Sequence, residues 1–123
     1  MLVVDDDVGM RELLSDTLRE EGYAVHLASS GLALLEVVRD VSDGIPDFDV
    51  IITDVRMPGI DGFAALDQLR ARGCAIPAIV MTAFPDARTV ARGRELGCVL
   101  LEKPFPLEHA CRAALESLLR PVS

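Results

Sequence analysis

The sequence predicts a doubly wound, three-layer α/β domain built on a five-stranded parallel sheet. Two observations carry the prediction. Short apolar runs alternate with stretches of helical periodicity, a β-α unit repeated five times in 123 residues. The apolar runs are near-continuous rather than alternating with polar residues, the mark of strands covered on both faces. Right-handed crossovers between parallel strands then place helices on both sides of the sheet. The length is that of one compact domain, and a 50% hydrophobic content is enough for a single core.

Taken in order, Leu2-Val3-Val4 is apolar, with two β-branched valines, and reads as the first strand. From Val8 to Glu21 the chain reads as a helix, with Met10, Leu14 and Leu18 at i, i+4 and i+8 and Gly22 as its C-cap. Tyr23 to Leu27 reads as the second strand. Ser29 or Ser30 is placed to cap a second helix that turns Leu32, Leu35 and Val38 inward. A polar loop at 42–47 breaks the pattern and is longer than a typical connection of about 4–6 residues. Val50-Ile51-Ile52-Thr53 is the third strand, followed by a helix marked by Phe63, Leu66 and Leu69 and ended at Gly73. Ala78 to Met81 is the fourth strand. A polar, Arg-rich helix follows from about Asp86 to Leu96, then a fifth strand at Val99-Leu100-Leu101 and a last helix from Leu107 to Leu119. Residues 1–119 form the domain, and 120–123 read as a tail or the start of a linker.

Composition removes several classes of function. A net charge of −8 argues against nucleic-acid contact, which wants a basic patch. Aromatics make up 4% of the chain and Trp is absent, which leaves no base-stacking platform. No apolar run is long enough to cross a bilayer and no signal peptide is evident, so no membrane contact and a cytoplasmic location are expected. Cys74, Cys98 and Cys111 form no CxxC pair and read as partly buried reduced thiols. His26 and His109 lack ligand spacing. Arg88, Arg92 and Arg94 read as a solvated helix face, with a partner surface as the alternative.

The chemistry lies at the strand tips. In a doubly wound sheet the functional crevice is at the C-terminal ends of the strands, where the strand order reverses; for the flavodoxin-like order 2-1-3-4-5 this is between strands one and three. Strand one ends in Asp5-Asp6-Asp7 and strand three in the isolated Asp54. Two like charges about 4 Å apart repel by roughly 4 kcal/mol at an effective dielectric of about 20, so such a crevice needs a cation. Oxygen ligands with room for water favour Mg²⁺, which also binds phosphate oxygens. Strands four and five bring Thr82 and Lys103 to the same edge. Acids, a hydroxyl and one ammonium at one spot suit a phosphoryl group: Asp54 as nucleophile, Lys103 and Mg²⁺ neutralising the phosphoryl oxygens, and Thr82 donating a hydrogen bond. Read alone, each residue has a plainer role: Asp5-Asp6-Asp7 a solvated helix start, Asp54 a turn former, Thr82 a strand-end hydroxyl, Lys103 a surface lysine. Within the triplet Asp7 takes the capping role, and Gly59 and Gly62 read as turn geometry only.

At these residues the chain resembles a response-regulator receiver domain, the phospho-accepting module of two-component signalling, over essentially its whole length. LVVDDD resembles the acidic-pair strand, TDVRMPGIDG the phosphorylation-site loop, VMTAF the hydroxyl strand and EKPF the lysine-proline loop. Carried over, the resemblance makes Asp5 and Asp6 the metal pair, with Asp6 the more direct ligand. Asp54 becomes phospho-acceptor and ligand, and the Arg56 backbone carbonyl completes the protein's ligand set. It also implies a cis peptide at Lys103-Pro104. The implied partners are a histidine kinase or histidine phosphotransfer protein as donor, and an output protein or effector domain at the face of helix four, strand five and helix five, with a homodimer as a further option. The implied activity is a self-phosphorylating and self-dephosphorylating switch rather than an enzyme with an external substrate.

The pattern departs from the family in three places. The residue three before the lysine, usually an aromatic that switches rotamer, is Leu100. The stretch from Gly97 to Lys103 is one residue shorter than usual, and the first strand begins at once, at Met1-Leu2. No effector sequence follows the last helix, so the chain reads as a stand-alone receiver or as a domain cut from a longer regulator. The rival reading is a pseudo-receiver, a phosphorylation-independent binding or dimerisation module, for which Leu100 argues. A phosphatase using an aspartyl phosphate would want a second acid two residues after Asp54, where this chain has Arg56.

Overall fold

The computed structural model describes residues 1–39 and 48–119. The polar loop at 42–47 and the segment 120–123 lie outside the described residues. Ten elements alternate: β1 (Leu2–Val4), α1 (Val8–Glu20), β2 (His26–Ala28), α2 (Gly31–Arg39), β3 (Ile51–Asp54), α3 (Gly62–Ala71), β4 (Ala78–Thr82), α4 (Ala87–Leu96), β5 (Val99–Glu102) and α5 (Leu107–Leu119). The five strands are parallel in the order β2-β1-β3-β4-β5, so the expected topology is observed.

Successive side chains of a strand point to opposite faces, and this alternation divides the core into two layers. Leu2, Val4, Ile51, Ala78 and Val80 pack under α2, α3 and α4 with Leu34, Leu35, Val38, Phe63, Leu66, Leu69 and Leu96. Val3, Ile52, Ile79 and Met81 pack on the other face with Leu14 and Leu18 of α1 and Ala110, Ala113 and Ala114 of α5. The three small residues of α5 let that helix lie close to the sheet.

Helix starts follow the sequence. Asp7 caps α1 by accepting from the Gly9 and Met10 amides, at 2.9 and 3.3 Å. Ser30, the second of the two candidates, accepts from Ala33 N at 3.0 Å. Asp61 and Asp86 cap α3 and α4 by accepting from Ala64 N at 2.7 Å and Thr89 N at 2.8 Å. Gly22, Gly73 and Gly97 all have positive φ at or just past helix ends, where glycine avoids a Cβ penalty.

Two expectations are corrected. β2 runs over His26–Ala28, not Tyr23 to Leu27. It is an edge strand, and its ladder lasts only as long as its single partner, from Leu2↔His26 to Val4↔Ala28. The residues before it are tied to α1 instead, through Tyr23 N to Leu18 O (3.2 Å) and the Arg19 guanidinium to Val25 O (3.1 Å). In α2, Leu32 is 56% exposed, while Leu34, Leu35 and Val38 are buried. At about 100° per residue, positions 31, 34, 35 and 38 share one sector, and 32 falls outside it. The three cysteines are free, partly buried thiols, and burial pushes those of Cys98 and Cys111 up. Arg88 and Arg94 are exposed, and Arg92 pairs with Asp67 and Glu95, each at 3.1 Å.

Leu34→Ala is expected to destabilise the fold by about 2–5 kcal/mol, and Leu32→Ala by no more than about 0.5 kcal/mol. Urea denaturation of the two variants checks the assignment of the α2 core face.

Candidate functional site

The register brings the chemistry together. Val4 lies opposite Thr53, Asp54 opposite Met81 and Thr82 opposite Glu102, so four strand tips end at one edge. Asp5 follows directly on β1, Asp54 closes β3, Thr82 closes β4, and Lys103 follows directly on β5. One ligand atom from each of Asp5, Asp6 and Asp54 falls within 4.8 Å of the other two. The Lys103 ammonium stands 3.1 Å from Asp54 Oδ2 and 3.8 Å from Asp5 Oδ2.

Each group differs in its surroundings. Asp5 is fully buried; its Oδ1 accepts from the Asp7 amide at 2.9 Å, while its Oδ2 has no hydrogen-bond partner. Burial pushes its carboxyl above the usual range; the Asp7 amide opposes this and the Asp54 charge adds to it. Asp6 is exposed and Asp54 half-buried. Thr82 is buried, and its Oγ1 accepts from the Phe84 amide at 3.1 Å. The Lys103 amide donates to Thr82 O at 2.7 Å, which fixes the two tips to one another, and the Lys103-Pro104 peptide is cis. Arg56 stands on the β3–α3 loop with its guanidinium carbon 5.0 Å from the centre of the Phe84 ring, a cation–π contact beside the site.

With all groups ionised, three carboxylates against one ammonium leave two negative charges uncompensated (−3 + 1 = −2). At 4.8 Å each carboxylate pair repels, by roughly 3 kcal/mol at an effective dielectric of about 20. The unpartnered Asp5 Oδ2 inside this set, with an exposed carboxylate beside it, fits a hard divalent cation that keeps some of its waters.

Three residues that support the site, Arg11, Thr53 and Gly31, were not singled out from the sequence, and a fourth, Gly62, was read as turn geometry only. The Arg11 guanidinium donates to the Asp5 carbonyl at 2.7 Å and holds the turn after β1. The buried Thr53 hydroxyl donates to the Asp54 carbonyl at 3.0 Å. Gly62 is not simply turn geometry: a Cβ there would run into the Asp54 carbonyl. Gly31 meets the Ile60 carbonyl in the same way. A basic residue one turn into the helix after the acid triplet was the available signal for Arg11. Backbone-to-backbone contacts leave no such signal. Gly59, by contrast, has φ +81° and is the turn glycine expected.

Comparison with known proteins shows the family. The sequence model of the response regulator receiver domain matches residues 1–115. The chain belongs to the response regulator receiver domain family. It is 38% identical over 120 residues to the transcriptional regulatory protein ZraR of Escherichia coli, covering 97% of this chain and 26% of that protein. It is 34% identical over 119 residues to the transcriptional regulatory protein FixJ of Bradyrhizobium diazoefficiens, covering 96% of this chain and 55% of the relative. Among solved structures, the Vibrio cholerae chemotaxis protein CheY4 superposes with a TM-score of 0.84 at 30% identity, over 95% of this chain and 96% of that one. The chain thus spans about a quarter to about half the length of these two regulators. Receiver domains of two-component response regulators interact with histidine kinases and with output domains, and are generally Mg-dependent. Among the described residues, no helix is long and apolar enough to cross a membrane.

The raised Asp5 carboxyl gives a signed prediction. An acid whose folded-state pKa is raised binds more protons folded than unfolded above its ordinary value of about 4, so its contribution to stability falls as pH rises through that window. In chelator-treated protein, Asp5→Asn is expected to be more stable than the parent at neutral pH, with the gap closing towards pH 4. Urea titrations at several pH values read the difference.

Proposed function

We propose that the chain is a working phospho-acceptor, with residues 1–119 as the receiver and Asp54 as the accepting side chain. The observation that carries this reading is the Lys103 ammonium at 3.1 Å from Asp54 Oδ2, inside a group of three carboxylates. In the transfer, an Asp54 carboxylate oxygen bonds to the phosphorus of a phosphohistidine. The phosphorus–nitrogen bond breaks, and the imidazole nitrogen keeps the electron pair. Lys103 stands where negative charge accumulates on the equatorial phosphoryl oxygens. Asp5, Asp6, Asp54 and the Arg56 carbonyl would hold Mg²⁺, which when bound offsets carboxylate repulsion and adds positive charge at the same oxygens. Later attack by water at phosphorus returns the carboxylate and releases inorganic phosphate, so the domain is a self-resetting switch rather than an enzyme with an external substrate.

The added phosphoryl carries a charge of about −1.5 to −2. Thr82, buried one strand away, is the hydroxyl placed to follow it. The readout face is that of α4, β5 and α5, and the partners are a histidine kinase or phosphotransfer protein in the cytoplasm and an output domain or protein.

One observation favours a second reading, a pseudo-receiver that binds or dimerises without turnover. Leu100, at the usual aromatic switch position, packs against Gly93 of α4, where a Cβ would lie 3.2–3.3 Å from three Leu100 side-chain carbons. The side chain is set under α4 rather than free to swing.

Intact-mass spectrometry after incubation with acetyl phosphate separates the two readings. One phosphoryl adduct is expected, requiring both Mg²⁺ and Asp54 and absent in Asp54→Asn. Lys103→Met is expected to slow its formation by about 100-fold, the scale set by loss of one charge-stabilising donor. Folded protein that takes up no phosphoryl group would favour the pseudo-receiver.

A further inference from the structure

We propose that Gly31, at the start of α2, is a positioning residue for the acceptor loop: it sets where the β3–α3 loop stands over Asp54, and through that the affinity of the acidic group for a divalent cation. The inference rests on reading Asp5, Asp6 and Asp54 as a cation site.

Among the described residues four glycines have positive φ, Gly22, Gly59, Gly73 and Gly97, and neither Gly31 nor Gly62 is among them. Backbone conformation therefore does not call for glycine at 31 or 62; contact does. A Cβ at Gly31 would run into the Ile60 carbonyl, with Ile60 C at 3.1 Å and Ile60 Cβ at 3.2 Å. A Cβ at Gly62 would run into the Asp54 carbonyl, with Asp54 C at 3.1 Å and Thr53 Oγ1 at 3.3 Å. Both obstacles are main chain, which cannot swing aside as a side-chain end can.

These two contacts lie two residues apart and close a short path from α2 to the acceptor. The loop is pinned at its start by Val55 N to Met81 O (3.0 Å) and at its end by Gly62 N to Val55 O (2.8 Å). The Thr53 hydroxyl holds the Asp54 carbonyl from the sheet side, and Met57 anchors the middle of the loop in the core. The α2 end of the path is equally fixed, by the Ser30 cap and by Leu34 N to Ser30 O at 3.0 Å. A methyl at position 31 must displace Ile60 or tilt α2. A close-packed interior passes such a shift on rather than absorbing it, and the next group along is the Asp54 backbone. The glycine is thus a spacer of minimum thickness, set 23 residues before the side chain it positions.

The test is Mn²⁺ affinity, read from the electron paramagnetic resonance of the free ion, for the parent, Gly31→Ala and Gly73→Ala. Gly73 has φ +82° with open space around it, so its substitution strains the backbone at the end of α3 that lies away from the acids. Gly31→Ala is expected to weaken Mn²⁺ binding by about 10-fold, as loss of groups that orient metal ligands does. Gly73→Ala, although it melts earlier, is expected to bind as the parent does. Parental affinity in folded Gly31→Ala, or an equal loss in Gly73→Ala, would overturn the proposal. A parent that takes up no Mn²⁺ would instead remove the cation-site reading itself, and the proposal with it. Should Gly31→Ala not fold, hydrogen exchange at the Gly62 amide of the metal-free parent decides: protection like that of β3 supports a preset loop, and exchange at the rate of an open loop overturns it.

Discussion

Everything at the functional edge depends on one constraint, the repulsion among carboxylates that the sheet forces together. The parallel order β2-β1-β3-β4-β5 makes β1 and β3 neighbours. Because the acids sit at the ends of these two strands, the fold brings one ligand atom from each of Asp5, Asp6 and Asp54 to within 4.8 Å of the others. Lys103 answers part of that charge, and the remainder is negative charge that a divalent cation, as proposed above, would offset. The surrounding structure resists the spreading that repulsion would cause. Arg11 holds the Asp5 carbonyl, the Thr53 hydroxyl holds that of Asp54, and the glycines at 31 and 62 allow main chain to close over it. In the proposed transfer, a preorganised site of this kind would not need to reorganise as charge develops on it.

The burial of Asp5 sharpens this picture. A buried carboxylate oxygen with no hydrogen bond, and only the Lys103 ammonium at 3.8 Å to offset its charge, costs stability. The same oxygen is a ready ligand. In the proposed cation site, stability and function would pull in opposite directions at this one atom.

Much of this was legible in the sequence because it is written in strongly patterned segments. Four of the five strands, the caps at Asp7 and Ser30 and the extent of α5 followed from periodicity and end signals. So did the convergence of Asp5, Asp54, Thr82 and Lys103, since all four close or directly follow strands whose order the crossover rules restrict. The second strand was misplaced because its apolar residues serve two masters: Val25 and Tyr23 pack beneath the end of α1, and only the three residues facing β1 form a ladder. Leu32 was misassigned because leucines at 32, 34 and 35 allow more than one helical stripe, and tertiary contact chooses among them. Gly31 and Thr53 were missed, and Gly62 was read as turn geometry only, for a different reason. All three act on main-chain atoms, of Ile60 or Asp54, and no side-chain pattern announces such contacts.

If the crowded acids are the organising constraint, relieving them must stabilise the whole fold. The most direct measurement is the melting temperature of chelator-treated protein as MgCl₂ is raised, beside NaCl at matched ionic strength. The account predicts a saturating rise with Mg²⁺, following the mass action of a ligand that binds only the folded state, and a much smaller, featureless response to NaCl. Superimposable curves for the two salts would contradict it, because they would show that the folded protein meets its acidic edge with general screening alone.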